Sequence, residues 1–193
     1  HHLTTLLLCL LLAAALPAHA AEESADEVDF LALAALMLRD GNIDRAIVAA
    51  EEADLVMGSH ISAVRVALRK VVAGHIPYLY TPVYEGGERT PGVMAIGETP
   101  GTQWRPAIEW LANTRRASNW YLIGSDYVWP WLSHKAIKKY IADAGGRVVG
   151  EEFVPIGEHD HSAQLARIQA AKPDVVLISL IGMDSIVFNR AFA

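Results

Sequence analysis

Thiols are nearly absent: Cys9 is the single cysteine in 193 residues. With no second thiol the chain can close no internal disulfide and build no thiolate metal cluster, and Cys9 lies in an N-terminal apolar run, away from any site further along. Positive charge is also scarce. Sixteen Lys and Arg stand against twenty-two Asp and Glu, a formal charge of -6. No long basic run offsets that balance, which argues against a nucleic-acid partner. Nucleotide and hydrolase signatures are missing as well. There is no GxGxxG, no Gly-rich run ending in Gly-Lys-Ser/Thr, no His-Glu-x-x-His and no Gly-x-Ser-x-Gly, so the usual NAD, ATP and serine-hydrolase classes are excluded and no cofactor is expected. The composition is not that of a disordered chain, with 52% hydrophobic and 20% charged residues.

What is present falls into distinct stretches. Leu6 to Leu16 is an apolar run followed by Pro17 and Ala18-His19-Ala20, the small-x-small pattern of a signal-peptide cleavage site, which makes residues 1–20 a signal peptide and predicts export to the periplasm. A buried helix or a membrane anchor is the alternative, although the run is short for a bilayer span. The run opens on His1-His2 with neither Met nor a basic flank, which reads as a truncated or altered start. Residues 21–54 read as a helical hairpin: Phe30 to Leu38, a turn at Arg39 to Asn42, then Ile43 to Asp54. Gly41, Ala46, Ala50 and Ala53 put small residues where two helices approach, so residues 26–54 resemble a single tetratricopeptide unit, or else a plain hairpin.

From Leu55 onward, strands alternate with helices of about ten residues, the signature of βα units, a mostly parallel sheet and helices on both faces. Strands are predicted at Leu55 to Met57, Pro77 to Tyr80, Val93 to Ile96, Trp120 to Gly124, Arg147 to Phe153 and Val175 to Leu180. Helices are predicted at Ser62 to Val72, Trp104 to Ala112, Leu132 to Ala144, Ser162 to Ala171 and from Asp184 onward. Ligands of such sheets sit beyond the carboxyl ends of the strands, which here are followed by residues 58–61, 81–86, 125–130 and 181–185. Glu158-His159-Asp160-His161 is the densest group of metal-ligating side chains. It precedes a helix start, however, and reads better as a loop capped by Asp160 or Ser162, so no metal is expected.

Residues from about His60 to Ala193 resemble the amide- and urea-binding members of the type I periplasmic binding proteins, the group that includes branched-chain amino-acid receptors. The resemblance is carried by His60-Ile61-Ser62-Ala63-Val64-Arg65, by YTPVYEG from Tyr80 to Gly86 and by GSDYVWP from Gly124 to Pro130. Gly145-Gly146, Phe153-Val154-Pro155 and Val175 to Gly182 continue it in order. It implies an incomplete pair of type I lobes, a partial first lobe over 55–102 and a partial second lobe over 103–193, with a hinge in the Gly97 to Thr102 segment. It also implies missing pieces. An isolated fragment of that kind would expose sheet edges and apolar helix faces and be poorly stable.

The resemblance implies a binding protein and not an enzyme, one that delivers a small polar solute such as urea, a short amide or a branched-chain amino acid to an ABC permease in the inner membrane. An amide-sensing regulator, a helical-repeat adaptor built on residues 26–54 and a nonfunctional fragment are the alternatives. The expected ligand contacts are Ser62, Ala63, Thr81, Tyr127 and Trp129. Ser62 opens a helix after a strand, where its hydroxyl and the N–H groups of Ala63 and Val64 can meet a ligand oxygen; an ordinary N-cap is the alternative. Alignment on Tyr84-Glu85-Gly86 moves the Thr81 position to Pro82. Tyr127 and Trp129 match aromatic pocket positions, and the bulk of Trp129 favours a solute the size of urea or acetamide over leucine. Asp126 and Asp184 are candidate ammonium partners. Trp110 reads as a core residue and Trp104 as uncommitted. A hydrolase would have to use Ser62 with His60, two residues away, and no third orienting group is evident.

Overall fold

The computed structural model describes residues 9–11 and 54–193. The hairpin expected over 21–54 and the Ala18-His19-Ala20 pattern lie outside the described residues. The fold is α/β, with every described strand pair parallel. The chain divides into two compact units, residues 1–83 with 87–97 and residues 84–86 with 98–193.

The first unit holds a sheet in the order β1-β2-β3-β4, made of β1 (Cys9–Leu11), β2 (Val56–Ser59), β3 (Tyr78–Tyr80) and β4 (Val93–Ala95). Cys9–Leu11 thus stands as a strand against Met57–Ser59, although the surrounding run reads as a signal peptide; a short apolar stretch satisfies either pattern. Helix α1 (Ser62–Val72) makes the crossover between β2 and β3. Its buried residues, Ser62, Arg65, Leu68, Val71 and Val72, recur every three or four positions and so form one stripe toward the sheet. Tyr78 and Tyr80, two apart on β3, share one face by the period of a strand and are both buried.

In the second unit the order is β6-β5-β7, with β5 (Asn119–Ser125) central, β6 (Arg147–Val154) and β7 (Val175–Ser179) on its flanks. A central strand must be apolar on both faces, and β5 is. Trp120 and Leu122 join Ile108, Ile137, Ile141 and Leu177 in one core, whereas Tyr121 and Ile123 join Val154, Ile168, Leu180 and Phe188 in another. The first core is covered by α3 (Arg105–Arg115) and α4 (Val128–Asp143), the second by α5 (Ser162–Ala171) and α6 (Gly182–Phe192). Helices therefore lie on both faces of this sheet, as the alternation of strands and helices predicts. Each covering helix follows or precedes its strand directly, so the loops that leave β5 and β7 open at the carboxyl end of the sheet.

Two details differ from the sequence pattern. The helix predicted over Trp104 to Ala112 is α3, and a short helix, α2 (Pro100–Gln103), precedes it where the sequence was read as a hinge turn over Gly97 to Thr102; Pro100 and Pro106 each occupy a first turn, and Thr99 with Thr102 forms a capping box on α2. Trp110 is 56% exposed. The stripe that α3 buries is Ile108 with Trp104 and Leu111 beside it, and Trp110 stands about 200° around the helix from Ile108. Among the described residues no helix is long and apolar enough to cross a membrane.

Candidate functional site

In the first unit the chain leaves β2 through Gly58 and Ser59 and enters α1 through His60 and Ile61. A Cβ at Gly58 would lie 2.4 Å from His60 Nε2, so only glycine lets the imidazole fold back over the strand. His60 is buried; its Nδ1–H donates to the Ile61 carbonyl at 3.2 Å, and Nε2 accepts from the Tyr78 hydroxyl at 2.8 Å. The Tyr80 hydroxyl donates to the His60 carbonyl at 2.8 Å. Burial lowers the His60 pKa, the bond to Ile61 partly opposing it, and burial raises that of Tyr78. Below this pair the Arg65 guanidinium lies 5.4 Å from the centre of the Tyr80 ring and pairs with Glu88.

Ser62 opens α1 with 2% exposure, and among the described residues its hydroxyl has no hydrogen-bond partner. It is not the N-cap: Ile61 holds that position, in extended backbone with φ -67° and ψ 155°. Nor is it paired with His60, both of whose ring nitrogens are engaged elsewhere. The Ser62–His60 nucleophile and base considered from sequence therefore do not meet. The Val64 N–H donates to the Ile61 carbonyl at 3.0 Å and Arg65 N–H to the same oxygen at 3.3 Å, which removes Val64 from the expected donors. Ser62 and Ala63, the first two helical residues, retain the orphan N–H groups that every helix start presents. Thr81, just past β3, donates both its N–H and its hydroxyl to the Gly58 carbonyl, at 3.0 and 3.2 Å. Its hydroxyl oxygen can still accept a bond, and Pro82 beside it has no donor at all.

In the second unit β5 ends at Ser125, whose hydroxyl accepts from Ile181 N–H at 3.1 Å and so ties the β5 end to the β7 loop. Tyr127 is the N-cap of α4, fully extended at φ -159°, and Trp129 and Pro130 occupy the first turn. The Tyr127 and Trp129 rings lie 6.3 Å apart, and Trp129 is buried. Asp126 accepts from Trp131 Nε1 at 2.9 Å, and the buried Asp184 accepts from Gly157 N–H at 2.9 Å with His159 Nε2 3.9 Å away. Both carboxylates considered as ammonium partners thus already hold donors. Asp160 accepts from the N–H and hydroxyl of Ser162, but the N-cap of α5 is His161, with no side-chain capping bond, so neither Asp160 nor Ser162 holds the cap position expected of it. Burial puts His161 against the Phe188 ring. Among the described residues no group of three or more His, Cys, Asp or Glu side chains is arranged to hold a metal ion.

One constellation was not anticipated. His134 on α4, wholly buried, sets Nε2 2.7 Å from Ser179 Oγ on β7 and Nδ1 3.2 Å from Glu151 Oε1 on β6. The order of groups is that of a hydrolase triad. Ser179 is 1% exposed, though, and the space above neighbouring Gly124 is filled: a Cβ there would lie 2.6 Å from Ser179 Oγ and 2.8 Å from Pro130 Cβ. No face of the hydroxyl is open to a substrate carbonyl. A periodicity signal existed for it, since Pro130, Ser133, His134, Ile137 and Ile141 form the buried stripe of α4.

Residues 42–193 match the family model described as periplasmic binding protein. Solved structures similar in fold include a periplasmic binding protein from Burkholderia mallei, 18% identical with a TM-score of 0.66, which covers 86% of this chain and 52% of that one. A solute binding protein of an ABC transporter from Rhodopseudomonas palustris HaA2, in complex with p-hydroxybenzoic acid, is 18% identical with a TM-score of 0.70 over 83% of this chain and 43% of that one. A leucine-, isoleucine-, valine-, threonine- and alanine-binding protein from Brucella ovis, in a closed conformation, is 16% identical with a TM-score of 0.61 over 88% and 54%. The chain spans about half the length of these structures.

Proposed function

The chain belongs to the periplasmic binding protein family, and from that premise we propose that it holds a small polar solute, as the solute-binding component of an ABC-type uptake system outside the inner membrane. The observation that carries the reading is the Ser62 hydroxyl, buried at the opening of a helix and without a partner among the described residues. A buried hydroxyl left unmatched costs about 1 to 3 kcal/mol, so an oxygen or N–H supplied by a ligand is the economical completion. With the Ser62 and Ala63 N–H groups beside it, the position suits a carbonyl or carboxylate oxygen. Thr81 adds an acceptor in the same unit; in the second unit Tyr127 and Trp129 are proposed, separately, as aromatic ligand contacts. The volume of Trp129 favours urea or acetamide over leucine, and the family supports a permease partner and a periplasmic location as parts of the same proposal.

Calorimetric titration with urea, acetamide, leucine and benzoate tests this, repeated on Ser62→Ala and Tyr127→Ala. Each variant should weaken the best ligand roughly five- to a hundred-and-fifty-fold, the loss of one hydrogen-bonded contact. Unchanged affinity in both folded variants removes these residues from the site. Tighter binding of leucine or benzoate than of either small amide refutes the size argument from Trp129.

A further inference from the structure

We propose that His134 is a positioning residue for the Tyr127–Trp129 turn, and that protonating it shifts that turn, so that the solute site weakens in mildly acidic solution. The imidazole, with no exposed surface, is the one side chain of α4 hydrogen-bonded to both flanking strands, through Ser179 on β7 and Glu151 on β6. The charged groups facing it are Glu151 from β6 and Lys138 from its own helix, whose Nζ holds the second Glu151 oxygen at 2.7 Å. From β6 the Phe153 ring also packs on it, 5.0 Å between centres. β5 and β7 bring only the Ile123 carbonyl and the Ser179 hydroxyl.

These partners fix the proton positions. A carboxylate can only accept, so Nδ1 carries the hydrogen toward Glu151 and Nε2 accepts from the Ser179 hydroxyl. A second proton makes Nε2 a donor. Ser179 must then turn its own hydrogen to the Ile123 carbonyl, 3.3 Å away, longer than a good O–H···O bond, and its oxygen must move to close the gap. There is no slack for that movement. Ser179 Oγ, Pro130 Cβ and His134 Cε1 lie 2.6, 2.8 and 3.3 Å from the point where a Cβ of Gly124 would be. They occupy that space together, so a shift of the hydroxyl or the imidazole is felt by Pro130, the residue after Trp129. Burial, which disfavours the imidazolium against the pull of Glu151, makes the protonated form the strained one.

The test begins without ligand. The protein is labelled with 5-fluorotryptophan at its five tryptophans, the Trp129 fluorine resonance is assigned with Trp129→Phe, and spectra are followed from about pH 8 to about pH 5, across the histidine range. In the unsubstituted protein the Trp129 resonance should move along a single titration. In His134→Gln, which keeps one donor and one acceptor but does not titrate, it should stay still. Glu151→Gln should move the midpoint to lower pH and Lys138→Met to higher pH, opposite shifts that a merely structural helix contact would not produce and that stand even if His134→Gln fails to fold. A resonance that does not titrate in the unsubstituted protein, that titrates equally in His134→Gln, or that ignores both neighbouring charges overturns the proposal. The ligand arm rests on the solute-binding reading: acetamide and leucine affinities should fall by roughly fivefold or more over the same range, with His134→Gln reducing that fall. If neither probe binds at either pH, the solute-binding reading fails while the fluorine spectra still decide the role of His134.

Discussion

Glu88 accepts five hydrogen bonds: Arg65 and Arg69 on one oxygen, the Arg89 and Thr90 N–H groups and the Thr90 hydroxyl on the other. Burial alone would push its carboxyl up, but the Thr90 bonds and the two guanidinium groups outweigh that and hold it at about 2 against an ordinary 4.5. The unfolded chain therefore takes up the proton first as pH falls. The stabilisation is full above the ordinary value and is lost as pH drops through the folded one. Glu88→Gln takes one charged partner from Arg65, at 1% exposure, and should lower unfolding free energy at neutral pH by roughly 1.5 to 3 kcal/mol, the worth of a hydrogen bond to a charged group. Denaturant melts at about pH 7 and about pH 3 check both points: the deficit should be large at the first and smaller at the second. None of this was legible in the sequence, where residues 84–89 read as a polar loop and Arg65 as part of a helix 23 positions away. The place of Ser62 at the start of a helix was legible because everything that marks it is local, a strand, a Gly-Ser-His turn and an amphipathic helix in succession.

Elements were easier to read than their junctions. The strands β5, β6 and β7 and the helix α5 fall where periodicity predicts, because a central parallel strand needs unbroken apolar residues and its crossover helices need a stripe. The beginnings of α4 and α3 were harder. Val128, Trp129 and Pro130 look like loop residues until Pro130 is recognised as acceptable in a first turn, and Trp110 looks like core until the stripe through Trp104, Ile108 and Leu111 is drawn. His134 lies on a stripe that was visible, but its partners on β6 and β7 are 17 and 45 residues away and only the sheet order brings them together. The same long-range logic operates at the start of β5. Asp174, just before β7, accepts from the N–H groups of Ser118 and Asn119, both at 2.8 Å, and from the Ser118 hydroxyl. The Asn119 bond and then the Ser118 bond lower its carboxyl below the usual range. Asp174→Ala should speed amide hydrogen exchange at Ser118 and Asn119 while leaving Leu122 and Ile123 protected, since the strand interior is held by its neighbours. Equal protection in the variant would mean that the clamp does not hold the strand end.

At the scale of the whole molecule the second unit's sheet ends differently on its two sides. Among the described residues β6 and β7 each pair with β5 alone, so each presents one row of backbone groups that no described strand covers. β6 carries Arg147, Glu151 and Glu152 along its length, the charged residues that blunt an edge, whereas β7 is Val-Val-Leu-Ile-Ser with no charge. Helix α6, which follows β7, leaves Met183, Ile186 and Phe192 at 57%, 44% and 46% exposure. An uncharged edge and an exposed apolar helix face are each surfaces on which a chain pairs with copies of itself or with other proteins. The structures it matches are about twice as long, and a chain of this length buries a smaller share of its apolar surface than they do. The purified 193-residue chain should therefore melt below about 55 °C and show a mass that rises with concentration in sedimentation. Met183→Glu and Ile186→Glu together should suppress the association without lowering the melt, because neither side chain is part of a core. A cooperative melt above that temperature from a species of constant monomeric mass would refute the argument from the edge, and association that persists unchanged in the double variant would move it away from α6.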